Sequence, residues 1–153
     1  MKENIDELDR AILRLMQENI DRSQKNMAYL LNRSPATICE RIKRLVKNSY
    51  ITGNTAILNR KLLNINVQGF IHLNLIYHSE EEVQNFRTEI SKIKGVCECV
   101  KVIGKYNFQI KIATSDIDSF SAIEKVISML KNVRDTVNSI VVEDIIKDKG
   151  IDF

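Results

Sequence analysis

The fold is decided by the segment Ser34-Pro35-Ala36-Thr37-Ile38-Cys39-Glu40-Arg41-Ile42-Lys43-Arg44-Leu45-Val46-Lys47-Asn48. Ser34 can accept a hydrogen bond from a free N–H of a first helical turn, and Pro35 suits the first helical position, where its missing N–H costs nothing. At about 100° per residue, the predicted helix has an apolar side and a mostly cationic side. The apolar side consists of Pro35, Ile38, Cys39, Ile42, Leu45 and Val46. The other side consists of Ala36, Thr37, Glu40, Lys43, Arg44 and Lys47, with Arg41 and Asn48 on the flank.

A helix of this kind meets the needs of a helix that lies in the major groove of DNA. Small side chains near its N-terminal end can approach base edges, while Arg and Lys contact bases or phosphates. The segment alone fits an ordinary amphipathic helix with a solvated basic face equally well. The surrounding sequence therefore has to decide between the two interpretations.

Two predicted helices precede this segment. Asp6 can cap the first, which ends near Asn19, and Ser23 can cap the second. The residues expected on their buried sides are Leu8, Ile12, Leu15 and Met16 in the first helix and Met27, Leu30 and Leu31 in the second. Only Asn32 and Arg33 separate the second helix from Ser34. Two short helices joined by so tight a turn, the second one basic, predict a helix-turn-helix within a trihelical unit that binds double-stranded DNA.

The charge distribution supports a polyanionic partner for the N-terminal part. The net charge of the 153 residues is only +3. However, residues 1–66 contain 12 Lys and Arg against 7 Asp and Glu, whereas residues 67–153 contain 11 against 13. Between residues 22 and 61, nine basic residues accompany a single acid, Glu40. The basic surplus lies where the helix-turn-helix is predicted.

The segment after the third helix predicts a boundary between domains. Gly53-Asn54 is a turn signal between two β-prone pieces, so a small wing or a linker strand is expected. Asn48 is expected to end the helix in a left-handed conformation. We therefore predict a helix-turn-helix domain over 1–52, a strand linker over 53–66 and a second domain over 67–153.

The second domain has the element order β-α-β-β-α-β. Alternating apolar residues predict strands over 68–77, 96–103 and 106–113, and helices are expected after Ser79 and after Ser115 or Asp116. The last strand is predicted over 136–146, with Ile140-Val141-Val142 buried on both faces. This order is the ferredoxin-like arrangement, an antiparallel sheet with both helices on one face. The chain as a whole is therefore expected to be α+β, with a winged-helix-like head. The bare sheet face, which includes Phe70 and Ile76, is expected to be covered by a second subunit.

The whole chain resembles the Lrp/AsnC (feast/famine) family of transcriptional regulators. The residues that carry the resemblance are Leu8-Asp9 and Ile12-Leu13, Ser34-Pro35, Arg41-Ile42-Lys43-Arg44-Leu45, Ile51 and Gly53, Val96, Gly104, Tyr106 and Ser139-Ile140-Val141. The resemblance implies a sequence-specific regulator that binds DNA as a homodimer and assembles into octamers or similar rings. It also implies an effector site for amino acids in clefts between dimers, lined by the turn after the second strand.

The predicted effector site departs from the family pattern. Its candidate residues are Gly104, Lys105, Tyr106, Asn107, Asn138 and Ser139. The family commonly has Gly-Asp-Tyr-Asp at the turn, whereas Lys105 and Asn107 replace both carboxylates here. A carboxylate would attract an α-ammonium group, and a lysine would repel it and favour an anion. Asn138 stands where the family tends to have threonine, and Ser49 where it prefers glycine.

The candidate DNA-binding residues are Ser34, Ala36, Thr37, Glu40, Arg41, Lys43, Arg44, Lys47, Arg22, Lys25 and Arg33. Arg41 and Arg44 are candidates for guanine or phosphate contacts, and Lys43 and Lys47 are candidate phosphate anchors. Glu40 can accept from a cytosine amino group or pair with Arg44 on the helix surface, and the pairing is the preferred interpretation. Arg22, Lys25 and Arg33 are either further backbone contacts or solvated surface charges.

Other function classes find little support in the sequence. Two histidines suggest neither catalysis nor metal binding, and the three cysteines fit reduced cytoplasmic thiols, with Cys97 and Cys99 expected to be buried. No nucleophile–base pair or phosphate loop appears, and siroheme decarboxylases, which share this architecture, carry a His-Asn-Tyr-x-Arg segment that is missing here. No enzyme activity, cofactor, metal or membrane span is expected. The remaining alternative is a ligand-independent architectural protein that organises DNA.

Overall fold

The computed structural model describes residues 4–18, 22–146 and 150–153, which divide into two compact units. The helical unit comprises Met1–Leu58 together with Ile146–Phe153, and the sheet unit comprises Asn59–Ile145. The helical unit thus includes the last residues of the chain, which the sequence-based boundaries assign to the second domain.

The helical unit contains the three predicted helices, α1 (Glu7–Glu18), α2 (Gln24–Leu30) and α3 (Pro35–Lys47). The predicted end of the first helix near Asn19 lies outside the described residues. Side chains of all three helices form one small core, which consists of Ile12, Met27, Ala28, Ile38 and Leu45.

Two residues predicted to be buried in this core are exposed. Leu30 is 53% exposed and Val46 is 51% exposed. Met27, Ala28 and Leu31 span an arc of about 100° on α2, and Leu30 falls outside that arc. Val46 is likewise turned about 100° from Leu45 on α3. The apolar side that the sequence predicts for each helix is therefore wider than the side that the neighbouring helices cover.

The linker does not contain the predicted strand. Residues 51–59 have no regular structure, and a single 3₁₀ turn follows at Lys61–Leu63. Ile57 is 93% exposed. A strand requires a neighbouring strand for its backbone hydrogen bonds, and residues 51–59 have none within the described parts of this chain. The prediction of a wing or linker strand is therefore wrong for the single chain.

The sheet unit has the ferredoxin-like fold, as predicted. Strands β1 (Val67–Leu75), β2 (Val96–Lys101), β3 (Phe108–Thr114) and β4 (Val133–Ile140) form an antiparallel sheet in the order β2-β3-β1-β4. The helices α4 (Glu80–Ile90) and α5 (Ile117–Ser128) are capped by Ser79 and Asp116. They pack on one face of the sheet, where the core consists of Ile71, Leu73, Leu75, Phe86, Ile90, Phe108, Ile110, Ile112, Phe120 and Ile127.

The last strand differs from its prediction in position and in burial. It begins at Val133 and ends at Ile140, and most of it is exposed. Val142, expected to be buried on both faces, is 98% exposed. Among the described strands, β4 lies at the edge of the sheet and pairs with β1 alone, so an apolar run beyond it has no described strand to cover it.

The sheet face opposite the helices is only partly covered by its own side chains. The register aligns Phe70 with Ser139 and His72 with Val137 on this face. The rings of Phe70 and His72 lie 6.5 Å apart, and those of His72 and Tyr106 lie 6.0 Å apart. Val137 is 45% exposed. We call this surface the open sheet face.

None of the helices in the described ranges combines the length and the apolarity that a membrane span requires.

Candidate DNA-binding and effector sites

The turn between α2 and α3 fixes where the third helix begins. Asn32 has a left-handed φ of 50°, and the N–H of Arg33 donates to the carbonyl of Ala28 at 2.9 Å. This backbone arrangement is a Schellman motif, which closes α2 abruptly. The Ser34 hydroxyl then accepts from the N–H of Thr37 at 3.1 Å and caps α3, as predicted. The two helices are thereby held in a helix-turn-helix.

A stripe of exposed residues runs along the outside of α3. It consists of Ala36, Glu40, Lys43 and Lys47, which fall within an arc of about 60° at 100° per residue. We call this the outer stripe. A shallow depression of about 380 Å³ beside it is lined by Glu40, Arg41, Lys43, Arg44, Lys47 and Asn48. Two lysines and a small side chain on an exposed helix face suit contact with phosphates and base edges.

Arg41 and Arg44 lie on the side of α3 that faces α1. Nη1 of Arg41 is 2.5 Å from a carboxylate oxygen of Asp6, and Nη2 of Arg44 is 2.5 Å from Oδ2 of Asp9. The expected surface pair between Glu40 and Arg44 is therefore not the ion pair that forms. Arg44 instead pairs with Asp9, because the buried Asp9 carboxylate lies within reach and requires a positive partner.

Asp6 and Asp9 are also linked through the start of α1. The N–H of Asp9 donates to Asp6 at 2.9 Å, and the N–H of Asp6 donates to Asp9 at 3.1 Å. This reciprocal pair is a capping box with aspartate in both places. The hydrogen bond from the Asp9 N–H, together with the Arg41 guanidinium, lowers the pKa of Asp6 to about 2.

The remaining candidate cations have more ordinary surroundings. Arg22 pairs with Glu18, four residues earlier in the sequence, at 3.3 Å. Arg33 donates to the carbonyl of Asn32 at 3.1 Å, and Lys25 is exposed on α2. Arg33 therefore lies just before the start of α3, and Lys25 lies on the preceding helix.

The turn Gly104–Asn107, where an effector site is predicted, is held by a side chain that the sequence-based site did not include. Asn74, only 4% exposed, donates to the carbonyl of Lys105 at 3.2 Å and accepts from the N–H of Asn107 at 3.0 Å. Asn74 also lies 3.4 Å from a carboxylate oxygen of Asp135 on β4. A buried amide that bonds two residues of one turn fixes the shape of that turn.

The six candidate effector residues do not form one cluster within this unit. Lys105 lies over the ring of Tyr106, with Nζ 5.3 Å from the ring centre. Asn138 and Ser139 pair with Ile71 and Phe70, three and four residues before Asn74 on β1, which corresponds to about 10–13 Å along the strand. Because neighbouring strand residues point to opposite faces, only Ser139 lies on the open sheet face.

Cysteine, histidine and acidic side chains are the candidate metal ligands among the described residues. Within residues 4–18, 22–146 and 150–153, no group of three His, Cys, Asp or Glu side chains could hold a metal ion. Cys97 and Cys99 are exposed, so the expectation that they are buried is wrong. β2 lies at an edge of the sheet, and its side chains are therefore covered less than the alternating apolar residues of this segment suggest.

A helix-turn-helix head with an exposed basic helix, followed by a ferredoxin-like domain, defines a class of two-domain DNA-binding regulators. The family model described as the AsnC-type helix-turn-helix domain matches residues 5–46, and the model described as the Lrp/AsnC ligand binding domain matches residues 68–151. The chain therefore belongs to the Lrp/AsnC family of transcriptional regulators.

Curated relatives agree with this assignment. The transcriptional regulator AzlB of Bacillus subtilis is 33% identical over 116 residues, which cover 76% of this chain and 74% of AzlB. The proline dehydrogenase transcriptional activator of Rhizobium radiobacter is 31% identical over 151 residues, covering 97% of this chain and 96% of the relative.

Solved structures share the fold. An AsnC family transcriptional regulator from Agrobacterium tumefaciens superposes with a TM-score of 0.88 at 24% identity, covering 97% of both chains. A transcriptional regulator from Neisseria meningitidis, solved in complex with L-Met, gives a TM-score of 0.87 at 21% identity and covers 94% of both chains. At these identities the likeness concerns the fold.

Proposed function

We propose that this regulator binds DNA through α3, with the outer stripe in the major groove. The exposed Lys43 and Lys47, on a helix held in place by the Asn32 turn, are the observation that carries the proposal. Ser34, Ala36 and Thr37 lie at the end of α3 that approaches base edges in a helix-turn-helix. Arg22, Lys25 and Arg33 add contacts to the phosphate backbone.

Selection from a random pool of duplexes tests this proposal. The wild-type protein is expected to enrich a sequence motif, and the variant Lys43→Gln/Lys47→Gln is expected to enrich it much more weakly at the same protein concentration, because it lacks two phosphate contacts. Lys92→Gln/Lys94→Gln is a matched control, because it removes two lysines from the sheet unit. Equal enrichment by all three proteins would contradict the assignment of α3.

We propose that the protein binds DNA as a homodimer and that these dimers assemble further, into octamers or similar rings. The open sheet face, with half-exposed Val137 and the row formed by Phe70, His72 and Tyr106, supports a second subunit as the covering partner. A dimer presents two α3 helices to successive major grooves, and each further dimer raises the effective concentration at neighbouring half-sites. The proposed compartment is the cytoplasm, and no reaction is assigned to the protein.

A small amino-acid-like effector is proposed for the Gly104–Asn107 turn. The fold shared with a regulator solved with L-Met supports an effector in this domain. Asn74, which bonds the turn, also lies 3.4 Å from a carboxylate oxygen of Asp135, and we propose that this carboxylate takes the place of those that Lys105 and Asn107 replace. The proposed site lies in a cleft between dimers. Asn138 and Ser139 would therefore reach it from a different subunit than the one that supplies the turn.

An architectural, ligand-independent DNA-binding protein is the second candidate. Lys105 and Asn107, at positions where carboxylates are expected, favour it. Titrating DNA in the presence of an amino-acid panel separates the two functions. A change in affinity or in oligomer size supports the effector-responsive regulator, and unchanged values with every amino acid support the architectural function.

A further inference from the structure

Asp9 is a buried carboxylate with three donors around it. Its side chain is fully buried, at 0% exposure. Nη2 of Arg44 lies 2.5 Å from Oδ2, and Nη1 of Arg41 lies 3.3 Å from both carboxylate oxygens. The N–H of Asp6 donates to the same Oδ2 at 3.1 Å. The carboxylate is thus bound from Asp6, the residue before its own helix, and from two successive turns of α3.

The charges of this cluster balance. Two guanidinium groups, of Arg41 and Arg44, meet two carboxylates, of Asp6 and Asp9. Withdrawing Arg44 toward a phosphate would leave the buried Asp9 carboxylate without its nearest cation, which is strongly unfavourable. Withdrawing Arg41 would remove the second cation beside Asp9 and the partner of the half-exposed Asp6. The matched charges therefore oppose their use as DNA contacts.

The exposure of the side chains separates the cations of α3 into two groups. Arg41 and Arg44 expose only 27% and 36% of their side chains, on the side toward α1. Lys43 and Lys47 are exposed on the outer stripe. Successive cations of one helix thus point in different directions, some toward the protein and some toward solvent.

We infer that Arg41 and Arg44 are positioning residues that, with Asp9 and Asp6, fix α3 against α1, while Lys43 and Lys47 make the phosphate contacts of α3. This inference rests on the proposed DNA binding through α3. It divides the basic helix, which the sequence presents as one set of candidate contacts, into an internal clamp and an external contact surface.

The salt dependence of DNA binding distinguishes the two groups. Each phosphate that a protein neutralises releases counterions and steepens the dependence of log K on log salt by about 0.9. A lysine that contacts a phosphate contributes to this slope. An arginine that is already paired with a buried carboxylate contributes nothing to this slope. Replacing such an ion pair by two neutral amides therefore leaves the slope unchanged.

The experiment is fluorescence anisotropy over a salt series, with the whole 153-residue chain and a labelled duplex that the wild-type protein enriches from a random pool. Lys43→Gln and Lys47→Gln are each expected to flatten the slope by about 0.9 per bound protomer. The double variant Asp9→Asn/Arg44→Gln, whose amides can still hydrogen-bond, is expected to keep the wild-type slope. A flattening in the double variant equal to that of Lys43→Gln would overturn the inference. Failure of the wild-type protein to enrich any duplex would instead overturn the proposed DNA binding.

A rescue experiment tests positioning itself. Asp9→Ala is expected to reduce the preference for the enriched duplex over a scrambled one by about tenfold, because α3 loses its anchor. The double variant Asp9→Asn/Arg44→Gln is expected to restore most of that preference. A preference unchanged in Asp9→Ala would contradict the positioning role.

A measurement on the wild-type protein does not depend on the folding of any variant. NMR signals of the Arg41 and Arg44 guanidinium groups are expected to keep their positions when the duplex is added, while the Lys43 and Lys47 ammonium signals shift. Large shifts of the arginine signals with unmoved lysine signals would overturn the inference.

Discussion

Two residues at the ends of helices have left-handed backbone conformations. Asn32, after α2, has a φ of 50°, and Ser49, after α3, has a φ of 60°. Asparagine adopts this region readily, whereas serine is less suited to it. At Ser49 the N–H of Tyr50 donates to the carbonyl of Leu45 at 2.9 Å, which completes a second Schellman motif. Asn48, expected to be left-handed, has φ of −86° and is the C-cap instead. The chain therefore places a serine where a glycine would fit without strain.

Replacing Ser49 is expected to change stability with little effect on the fold. Ser49→Gly should raise the free energy of unfolding of the helical unit by about 0.5–1 kcal/mol, because glycine relieves the left-handed strain and gives back part of that gain as chain entropy. Ser49→Ala keeps the strain and serves as the control. Urea denaturation followed by circular dichroism measures both, and a Gly variant no more stable than the Ala variant would refute the assignment.

The low pKa of Asp6 predicts an acid-sensitive helical unit. Its folded pKa of about 2 lies below the ordinary value of 3.8, so the charged form stabilises the folded state. That contribution is complete above 3.8 and is lost as the pH falls toward 2. Asp6→Asn keeps a capping acceptor but cannot titrate. In urea titrations across this range, the variant should lose less stability than wild type on acidification, and an identical loss would contradict the prediction.

Some residues of the site could be predicted from the sequence and others could not. Ser34 and Pro35 announce the start of α3 because capping is a local interaction. Asp9 was visible only as an acid in a first helical turn, where the helix dipole already explains it. Its partners are 32 and 35 residues away. Asn74 belongs to the strand predicted over 68–77, and nothing local indicates that it bonds a turn 31 residues further along.

At the scale of elements, the helices were predicted more accurately than the strands and the linker. Ser23, Ser34, Ser79 and Asp116 cap helices as expected, because each cap acts within three residues. β4 and the linker depend on partners far along the chain or outside it. The apolar run through Val142 predicted a buried strand, but at this edge of the sheet it has no neighbour within the described chain.

Gly69 allows β1, β4 and α5 to approach one another closely. A Cβ built at this position would lie 2.5 Å from the backbone oxygen of Ser139 and 2.7 Å from the ring of Phe120. Gly69→Ala is therefore expected to destabilise the sheet unit by about 1–3 kcal/mol. Gly53→Ala is the control, because a Cβ at Gly53 would meet no atom within 4 Å among the described residues other than its two chain neighbours. Thermal unfolding compares the two, and equal midpoints would contradict the close packing.

At the scale of the whole molecule, the exposed apolar surface predicts how copies of the chain associate. Val137→Glu would bury a carboxylate in the proposed interface and is expected to weaken dimerisation by at least about tenfold. Val126→Glu is the matched control, since Val126 has a similar exposure, 51% against 45%, but lies on α5 on the other side of the sheet. Sedimentation velocity measures the dimer fraction. Dimerisation that persists in Val137→Glu, or is lost equally in both variants, would argue against the open sheet face as the interface.

Hydroxyl-radical footprinting on a duplex selected by the protein tests most directly whether α3 binds DNA through its outer stripe. Wild-type protein is expected to protect the backbone around successive major grooves, about one helical turn apart. Lys43→Glu/Lys47→Glu should abolish this protection while the protein stays folded and dimeric, because two repulsive charges replace two phosphate contacts. Protection of the same positions by the variant, at the same protein concentration, would contradict binding through this stripe.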